Sequence, residues 1–220
     1  MNWYVERIES VNPSSPAALY PTPGVELLSD TAAEGPGSAH FAEGGREFAV
    51  IGTSFYQVLS DGILTTLGNV ARDGNPATIS SSGDAGGQIF ITSGGNGYIY
   101  TISNMAFAQV TALDGIATMG GHLDGYFLCL DQSTSTVNFS DYLDGTTWDP
   151  LNFFSRLIAS DPWVAMKIAN RYIYMLGSET SEVWYDEGSY PIPFVAHPSG
   201  LIQFGCVAPF SVEVIGSSVA

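Results

Sequence analysis

The chain has 220 residues, enough for one large β domain with its own core or for part of a larger one. Hydrophobic residues make up 45% of it and aromatic residues 12%, which indicates a folded chain. The 22 acidic residues outnumber 6 basic ones, so the formal net charge is −16. Such a surface repels phosphate backbones and anionic lipids, which argues against sequence-specific nucleic-acid binding and against membrane attachment.

Two further classes of segment are not expected. No apolar run approaches the roughly 18 residues that a membrane span needs, and the first residues carry no basic region followed by an apolar block, as a secretory signal would. The two cysteines, Cys129 and Cys206, lie far apart within apolar runs. This placement predicts two buried free thiols rather than a disulfide or a metal site.

The chain is predicted to be all-β. No long run has a helical period, because 25 glycines and 12 prolines interrupt almost every window. Asp-Gly pairs, which favour hairpin turns because they tolerate positive φ, occur at 61–62, 73–74, 114–115, 124–125 and 144–145. Gly94–Gly97 also fits a hairpin turn better than a phosphate loop. The apolar runs between these turns predict strands at 48–51, 89–92, 98–102, 127–130, 172–176 and 182–185.

Four of these strands recur at a regular spacing. They begin at Phe48, Ile89, Phe127 and Ile173, which are 41, 38 and 46 residues apart, and a second strand follows each after a short polar turn. A period of about 40 residues with several short strands per unit is typical of β-propeller blades. An ordinary β-sandwich with irregular strand spacing is the alternative.

The two ends of the chain differ from this repeat. Residues 1–45 are rich in Pro, Gly and Ala, and we expect an extended N-terminal arm there with one short strand, Val25–Leu28. Residues 46–220 are expected to hold about four blades. Because Glu213–Ser218 resembles the lead-in Ala165–Asn170, a fifth blade is expected to begin there and to stop mid-blade at Ala220.

The residues that could carry chemistry do not form a convincing catalytic or metal set. The three histidines, His40, His122 and His197, stand in different repeats without metal-ligand spacing, and are expected at the surface or in turns. The cluster Asp141, Asp144 and Asp149 does not fit a calcium loop and is interpreted as solvated turn carboxylates. A second acidic group flanks the strand 183–185 and is expected to form one exposed face: Glu179, Glu182, Asp186 and Glu187.

One stretch resembles the Asp-box turn of sialidase propellers, S-x-D-x-G-x-T-W. In Ser140–Trp148, however, Asp144 and Gly145 are adjacent where the box separates them, and the motif occurs once. Sialidase chemistry also needs clustered arginines, whereas Arg7, Arg46, Arg72, Arg156 and Arg171 are scattered. A sialidase-like or other carbohydrate-active or carbohydrate-binding propeller is therefore the second hypothesis. A cell-surface adhesion or binding propeller is a further alternative.

The same stretch carries a better match. Phe139–Phe153, Glu182–Tyr185 and Gly205–Val212 resemble the tail accessory family of short-tailed bacteriophages, known as packaged-DNA stabilisation or tail hub proteins. Asn2–Glu6, Thr22–Val25 and Leu123–Phe127 are also similar to that family, so the resemblance runs in order over nearly the whole chain. It implies a protein longer than this chain, without enzymatic activity, cofactor or metal.

The resemblance also implies a role. The family forms a homo-oligomeric ring below the portal, closes the channel after DNA packaging and anchors other tail parts. The implied partners are a portal or adaptor ring and other tail proteins, in the virion tail and, during assembly, in the host cytoplasm. We expect Trp3, Tyr4 and Tyr20 of the arm to be partner anchors. The carboxylates would either face a DNA channel, where they repel phosphate, or face outward.

Overall fold

The N-terminal segment forms a strand pair. A computed structural model describes residues 3–7, 17–21, 35–215 and 218–219, and the chain divides into two compact units, residues 1–30 and 31–220. In the first unit, β1 (Trp3–Arg7) pairs antiparallel with β2 (Ala17–Pro21). The strand expected at Val25–Leu28 lies outside the described residues.

The second unit contains four antiparallel sheets of four strands, each built from consecutive strands in chain order. Blade 1 comprises β3 (Gly37–Glu43), β4 (Arg46–Ile51), β5 (Ser54–Val58) and β6 (Leu64–Asn69). Blade 2 comprises β7 (Thr78–Ser81), β8 (Gln88–Ser93), β9 (Asn96–Thr101) and β10 (Ala106–Val110). Blade 3 comprises β11 (Met119–Leu123), β12 (Tyr126–Asp131), β13 (Thr136–Phe139) and β14 (Phe153–Ser155). Blade 4 comprises β15 (Trp163–Ala169), β16 (Tyr172–Gly177), β17 (Ser181–Asp186) and β18 (Phe194–Ile202).

The arrangement of these sheets is that of a β-propeller. The first strands of successive blades contact one another, β3 with β7, β7 with β11 and β11 with β15, so these four strands lie nearest the axis. The runs that begin at Phe48, Ile89, Phe127 and Ile173 are in the second strands of four separate sheets. The prediction of an all-β propeller with about four blades is confirmed, and the sandwich alternative is set aside.

The ends of the propeller unit depart from the sequence expectation in detail. Blade 1 begins at Gly37, inside the segment expected to be an arm. The sequence did not predict β3 because this strand is mostly exposed and has no apolar run. At the other end, β19 (Val214–Ile215) and β20 (Ser218–Val219) form a short pair, and β20 contacts β15.

The described helices are α1 (Gly83–Gly86) and a 3₁₀ turn at Thr111–Leu113. Among the described residues, no helix has the length and apolarity that crossing a bilayer requires.

The hydrophobic core lies between neighbouring blades. Blades 1 and 2 share one apolar cluster, blades 2 and 3 a second, and blades 3 and 4 a third. Each blade is covered on the faces that meet its neighbours because aromatic side chains of both sheets interdigitate there. Between blades 3 and 4, the rings of Phe154 and Trp184 lie 4.6 Å apart by centroids, and Trp163 packs edge-on against both. Burial of each such ring contributes about 1.5 to 3 kcal/mol.

Candidate functional site

The predicted partner anchors lie on the N-terminal strand pair. Its register places Trp3 opposite Pro21 and Tyr4 opposite Tyr20. Backbone pairing therefore brings all three aromatic residues to the same end of one two-stranded unit. A role in partner binding stays a prediction.

The inner strands of the propeller line an axial cavity of about 660 Å³. Residues of β3, β7, β11 and β15 contribute to its wall, together with residues of the connection 203–213 that follows β18. Its charged lining consists of Glu43, Lys167 and Glu213, and the Nζ of Lys167 lies 2.9 Å from the Oε1 of Glu213. One of two carboxylates is thus neutralised by the lysine, so the described part of the axis is not where the acidity of the chain is concentrated.

The three histidines are held in different blades, as their spacing predicted. His40 lies in β3, His197 in β18 and His122 in the inner strand β11. His122 is a correction to the expected surface or turn position, since it is partly buried and its Nε2 has no hydrogen-bond partner in the described structure. Burial lowers the pKa of His122 below its usual value, although the charges of Glu43 and Asp124 oppose this. The described residues contain no group of three or more His, Cys, Asp or Glu side chains placed to hold a metal ion.

The stretch that resembles an Asp box forms a hydrogen-bonded turn between β13 and β14. Asp144 accepts hydrogen bonds from the backbone N–H and hydroxyl of Thr146 and from the hydroxyl of Thr147. Burial raises the pKa of Asp144, but these hydrogen bonds outweigh it and hold the pKa below its usual value. The indole N–H of Trp148 donates to the carbonyl of Gly145 at 2.7 Å, and the buried ring lies 5.4 Å from Phe90 of blade 2. The turn therefore connects two blades.

Gly145 explains why this connection is close. Its N–H donates to the Oε1 of Gln88 in blade 2 at 2.8 Å. A Cβ at this position would lie 2.5 Å from the Cδ1 of Ile99 and 2.6 Å from the Cδ2 of Phe127, which only glycine avoids. All the interactions described for this turn are structural.

A buried ion cluster overturns one sequence expectation. Glu182, expected on an exposed acidic face, is completely buried, and its Oε1 lies 3.2 Å from the Nε of Arg156. Arg156 belongs to the connection between blades 3 and 4, and its NH2 lies 3.0 Å from the Oδ1 of Asp161. Glu182 also accepts hydrogen bonds from the N–H groups of Ile158 and Ala159 and from the indole of Trp184. The other members of that acidic group, Glu179, Asp186 and Glu187, are exposed or half-buried.

The cluster holds the connection onto the turn between β16 and β17. Burial raises the pKa of Asp161, but hydrogen bonds from the N–H groups of Glu179 and Thr180, and the charge of Arg156, lower it to about 2. The sequence does not distinguish Arg156 from the other four arginines, which are scattered along the chain. The available signal is the small number of basic residues, because a chain with six of them has few cations that could pair with a buried carboxylate.

The two cysteines are both free thiols, but they differ in burial. Cys129 is completely buried in β12, as predicted, and burial raises the pKa of its thiol well above the usual value. Cys206 is half-buried, which corrects the expectation of full burial. It lies in the connection after β18, where its Sγ is 3.0 Å from the carbonyl oxygen of Ala208.

The described sheets form an all-β propeller whose neighbouring blades share apolar cores. The chain belongs to the phage stabilisation family described as Bacteriophage P22 Gp10, beta-propeller, whose model matches residues 5–220. The predicted relation to packaged-DNA stabilisation proteins of phage tails is therefore confirmed. The chain is a structural protein of a phage particle, located in the virion.

Comparison with solved structures shows the propeller fold at low identity. Virginiamycin B lyase from Staphylococcus aureus is 10% identical with a TM-score of 0.53, over 85% of this chain and 61% of the lyase. A putative 6-phosphogluconolactonase from Bacteroides uniformis is 12% identical with a TM-score of 0.52, over 80% of this chain and 60% of that one. The computationally designed Ika4 protein is 11% identical with a TM-score of 0.52, over 74% of this chain and 98% of Ika4.

The chain is shorter than most of these structures. It spans 52% of Hsv2 of Kluyveromyces lactis, with which it is 10% identical. Comparison with curated proteins finds no match. At these identities the solved structures support the fold alone. The evidence for a structural role in a phage particle comes from the family match.

Proposed function

We propose that this protein is a hub or plug of the phage tail, below the portal, that retains the packaged DNA and anchors other tail parts. The observation that carries the proposal is the match of the P22 Gp10 family over residues 5–220, together with four consecutive propeller blades. Blades packed through shared aromatic clusters make a stiff scaffold, and their loops are free to contact partners. The proposed partners are a portal or adaptor ring, other tail proteins and further copies of this chain.

The proposal gives the DNA a path between subunits. A ring of several propellers would surround the channel, and each propeller would form part of its wall. A net charge of −16 keeps phosphate from adhering to such a wall. DNA would then be held by closure of the channel rather than by binding. Assembly would take place in the host cytoplasm.

The N-terminal strand pair is proposed as the contact to the portal-type ring. The backbone register places Trp3, Tyr4 and Tyr20 at one end of this unit, and aromatic side chains that enter desolvated pockets each contribute about 2 kcal/mol or more. Deleting residues 2–10 removes β1 and two of the three anchors. It should therefore weaken binding to the purified portal ring by two orders of magnitude or more, measured by surface plasmon resonance on the full-length protein.

Whether the deletion variant folds distinguishes this proposal from the alternative, in which the same aromatic residues pack locally within the protein. Circular dichroism and thermal unfolding of the deletion variant show whether the propeller remains intact. Undiminished portal binding by a folded variant would refute the contact. Loss of folding would instead indicate that Trp3 and Tyr4 pack onto the propeller's own first blade.

The same proposal assigns no catalytic role to the chain. The turn at Asp144 uses its carboxylate to order Thr146 and Thr147, and Arg156 and Arg171 are each paired with carboxylates of their own. A measurable glycosidase rate that disappears in Asp144→Ala would contradict this part of the proposal.

A further inference from the structure

Exposed apolar side chains recur in one class of loop. The loop between the third and fourth strands carries Ile63 in blade 1, Met105 in blade 2, Leu151 in blade 3 and Tyr190 in blade 4, and all four side chains are exposed. Tyr190 is 97% exposed and Leu151 is 76% exposed. The feature is therefore repeated in every described blade, although the four loops differ in length and sequence.

These loops lie on one face of the propeller. In a blade of four antiparallel strands, the turn between strands one and two and the loop between strands three and four are at the same end. In blade 3 the two are joined directly, since the N–H of Leu143 donates to the carbonyl of Gly125 at 2.8 Å. We call this surface the turn face and define it by the loops 59–63, 102–105, 140–152 and 187–193 and the turns 44–45, 124–125 and 170–171.

The turn face is acidic as well as apolar. Its four long loops contain Asp61, Asp141, Asp144, Asp149 and Glu187, and their sequences contain no lysine or arginine. Arg171, in the turn between β15 and β16, is paired with Asp124 at 2.9 Å. An arriving partner therefore meets exposed apolar side chains, with carboxylates in three of the four loops, and the basic residues on this face are Arg171 and Arg46, which follows the turn 44–45.

We infer that the turn face is a docking surface for a basic protein segment that carries aromatic or aliphatic side chains. Charge complementarity selects this occupant, because carboxylates beside apolar anchors attract a cationic partner and steer its approach. The same charge repels a second copy of this face, an anionic lipid surface and nucleic acid. The inference goes beyond the proposed function, which names partners but assigns none of them to a face of the propeller.

A peptide probe tests the inference on the intact chain. The probe is a short synthetic peptide in which Arg alternates with Trp or Leu, and its affinity is measured by isothermal titration calorimetry at physiological salt. The double variant Leu151→Ser/Tyr190→Ser should bind at least about tenfold more weakly, because two exposed anchors are removed while the charge is unchanged.

The opposite face supplies a matched control. Leu157, which is 71% exposed, lies in the connection between blades 3 and 4, and Phe204, which is 79% exposed, lies in the connection that follows β18; both are at the other end of the sheets. Leu157→Ser/Phe204→Ser should leave the affinity unchanged, and thermal unfolding should show both double variants to be folded. An equal loss in the two variants, or no loss in either, would overturn the inference. So would equally tight binding of a peptide with Ser in place of Trp and Leu, since charge alone would then account for binding.

Discussion

Removing Glu182 should destabilise the propeller severely, because its carboxylate is the buried partner of Arg156. Glu182 is completely buried and the Arg156 side chain is 6% exposed. The substitution Glu182→Ala leaves a guanidinium with half of its charge compensation. It also leaves the N–H groups of Ile158 and Ala159 and the indole of Trp184 without their acceptor. Breaking a buried ion pair in this way costs about 3 to 5 kcal/mol.

That cost is a large part of the stability of a domain, which is typically about 5 to 15 kcal/mol. Urea unfolding followed by tryptophan fluorescence measures it, since Trp163 and Trp184 lie in the same core. Arg156→Ala should cost a similar amount. The double variant should cost clearly less than the sum of the two, with a coupling energy of about 1 to 3 kcal/mol.

Glu179→Ala is the control, because this exposed carboxylate lies three positions before Glu182 in the chain and should matter by less than about 0.5 kcal/mol. If Glu182→Ala costs no more than Glu179→Ala, the carboxylate is solvated, as the sequence suggested, and the buried cluster is refuted. Additive costs of the two single substitutions at Glu182 and Arg156 would equally contradict a direct ion pair.

Three further outcomes follow from individual side chains. The depressed pKa of Asp161, about 2 against a usual 3.8, should stabilise the fold by about 2 kcal/mol above pH 4, and this stability should be lost as the pH falls from about 4 to 2. In Asp161→Asn, acid titration of the free energy of unfolding should lose that component, and an unchanged profile would contradict the assignment. Asp144→Ala should cost about 1 kcal/mol by thermal unfolding, since three hydrogen bonds of a partly exposed turn are lost, and a cost near zero would show that the turn does not depend on them. A thiol reagent should label Cys206 in the native protein and reach Cys129 only after unfolding, because Cys129 is fully buried and its thiolate is disfavoured; equal labelling rates would be inconsistent with the packing of β12.

The second strand of each blade was predictable because burial imposes an apolar run on it. Such a strand is enclosed by its sheet neighbours and by the adjacent blades, and β8, for example, is buried at every position. The fourth strands were not predicted because they form the outer edge. In β6, Leu64–Asn69, half-buried and exposed residues mix without a period of two, so the sequence carries no strand pattern there.

Turn signals were informative about backbone conformation but less so about position. Of the five Asp-Gly pairs, Gly62, Gly74, Gly115 and Gly125 have positive φ, as predicted, whereas Gly145 does not. Two of these pairs lie in hairpin turns, but 73–74 and 114–115 lie in the connections between blades. Gly94–Gly95 does join β8 to β9, as predicted. Local chemistry selects a left-handed glycine, whereas which strands the turn joins depends on the packing of the whole blade.

The buried ion cluster could not have been predicted from neighbouring residues. Four acidic residues close together in sequence suggest one exposed face, because like charges resist burial together. The alternation of a strand instead sends Glu182 inward, and its cation comes from the preceding connection between blades. Burial of a charge depends on a partner distant in sequence, and a single sequence does not reveal that partner.

The function of the chain depends on its loops rather than on the propeller fold alone. One fold can host many unrelated functions, so the blades by themselves do not determine the function of the chain. In this chain the residues that resemble an Asp box form an ordered turn and join two blades. The exposed loops carry apolar anchors and carboxylates, a combination suited to holding another protein. The proposed role as a hub of the phage tail needs such surfaces, because a hub has to remain bound to its neighbours.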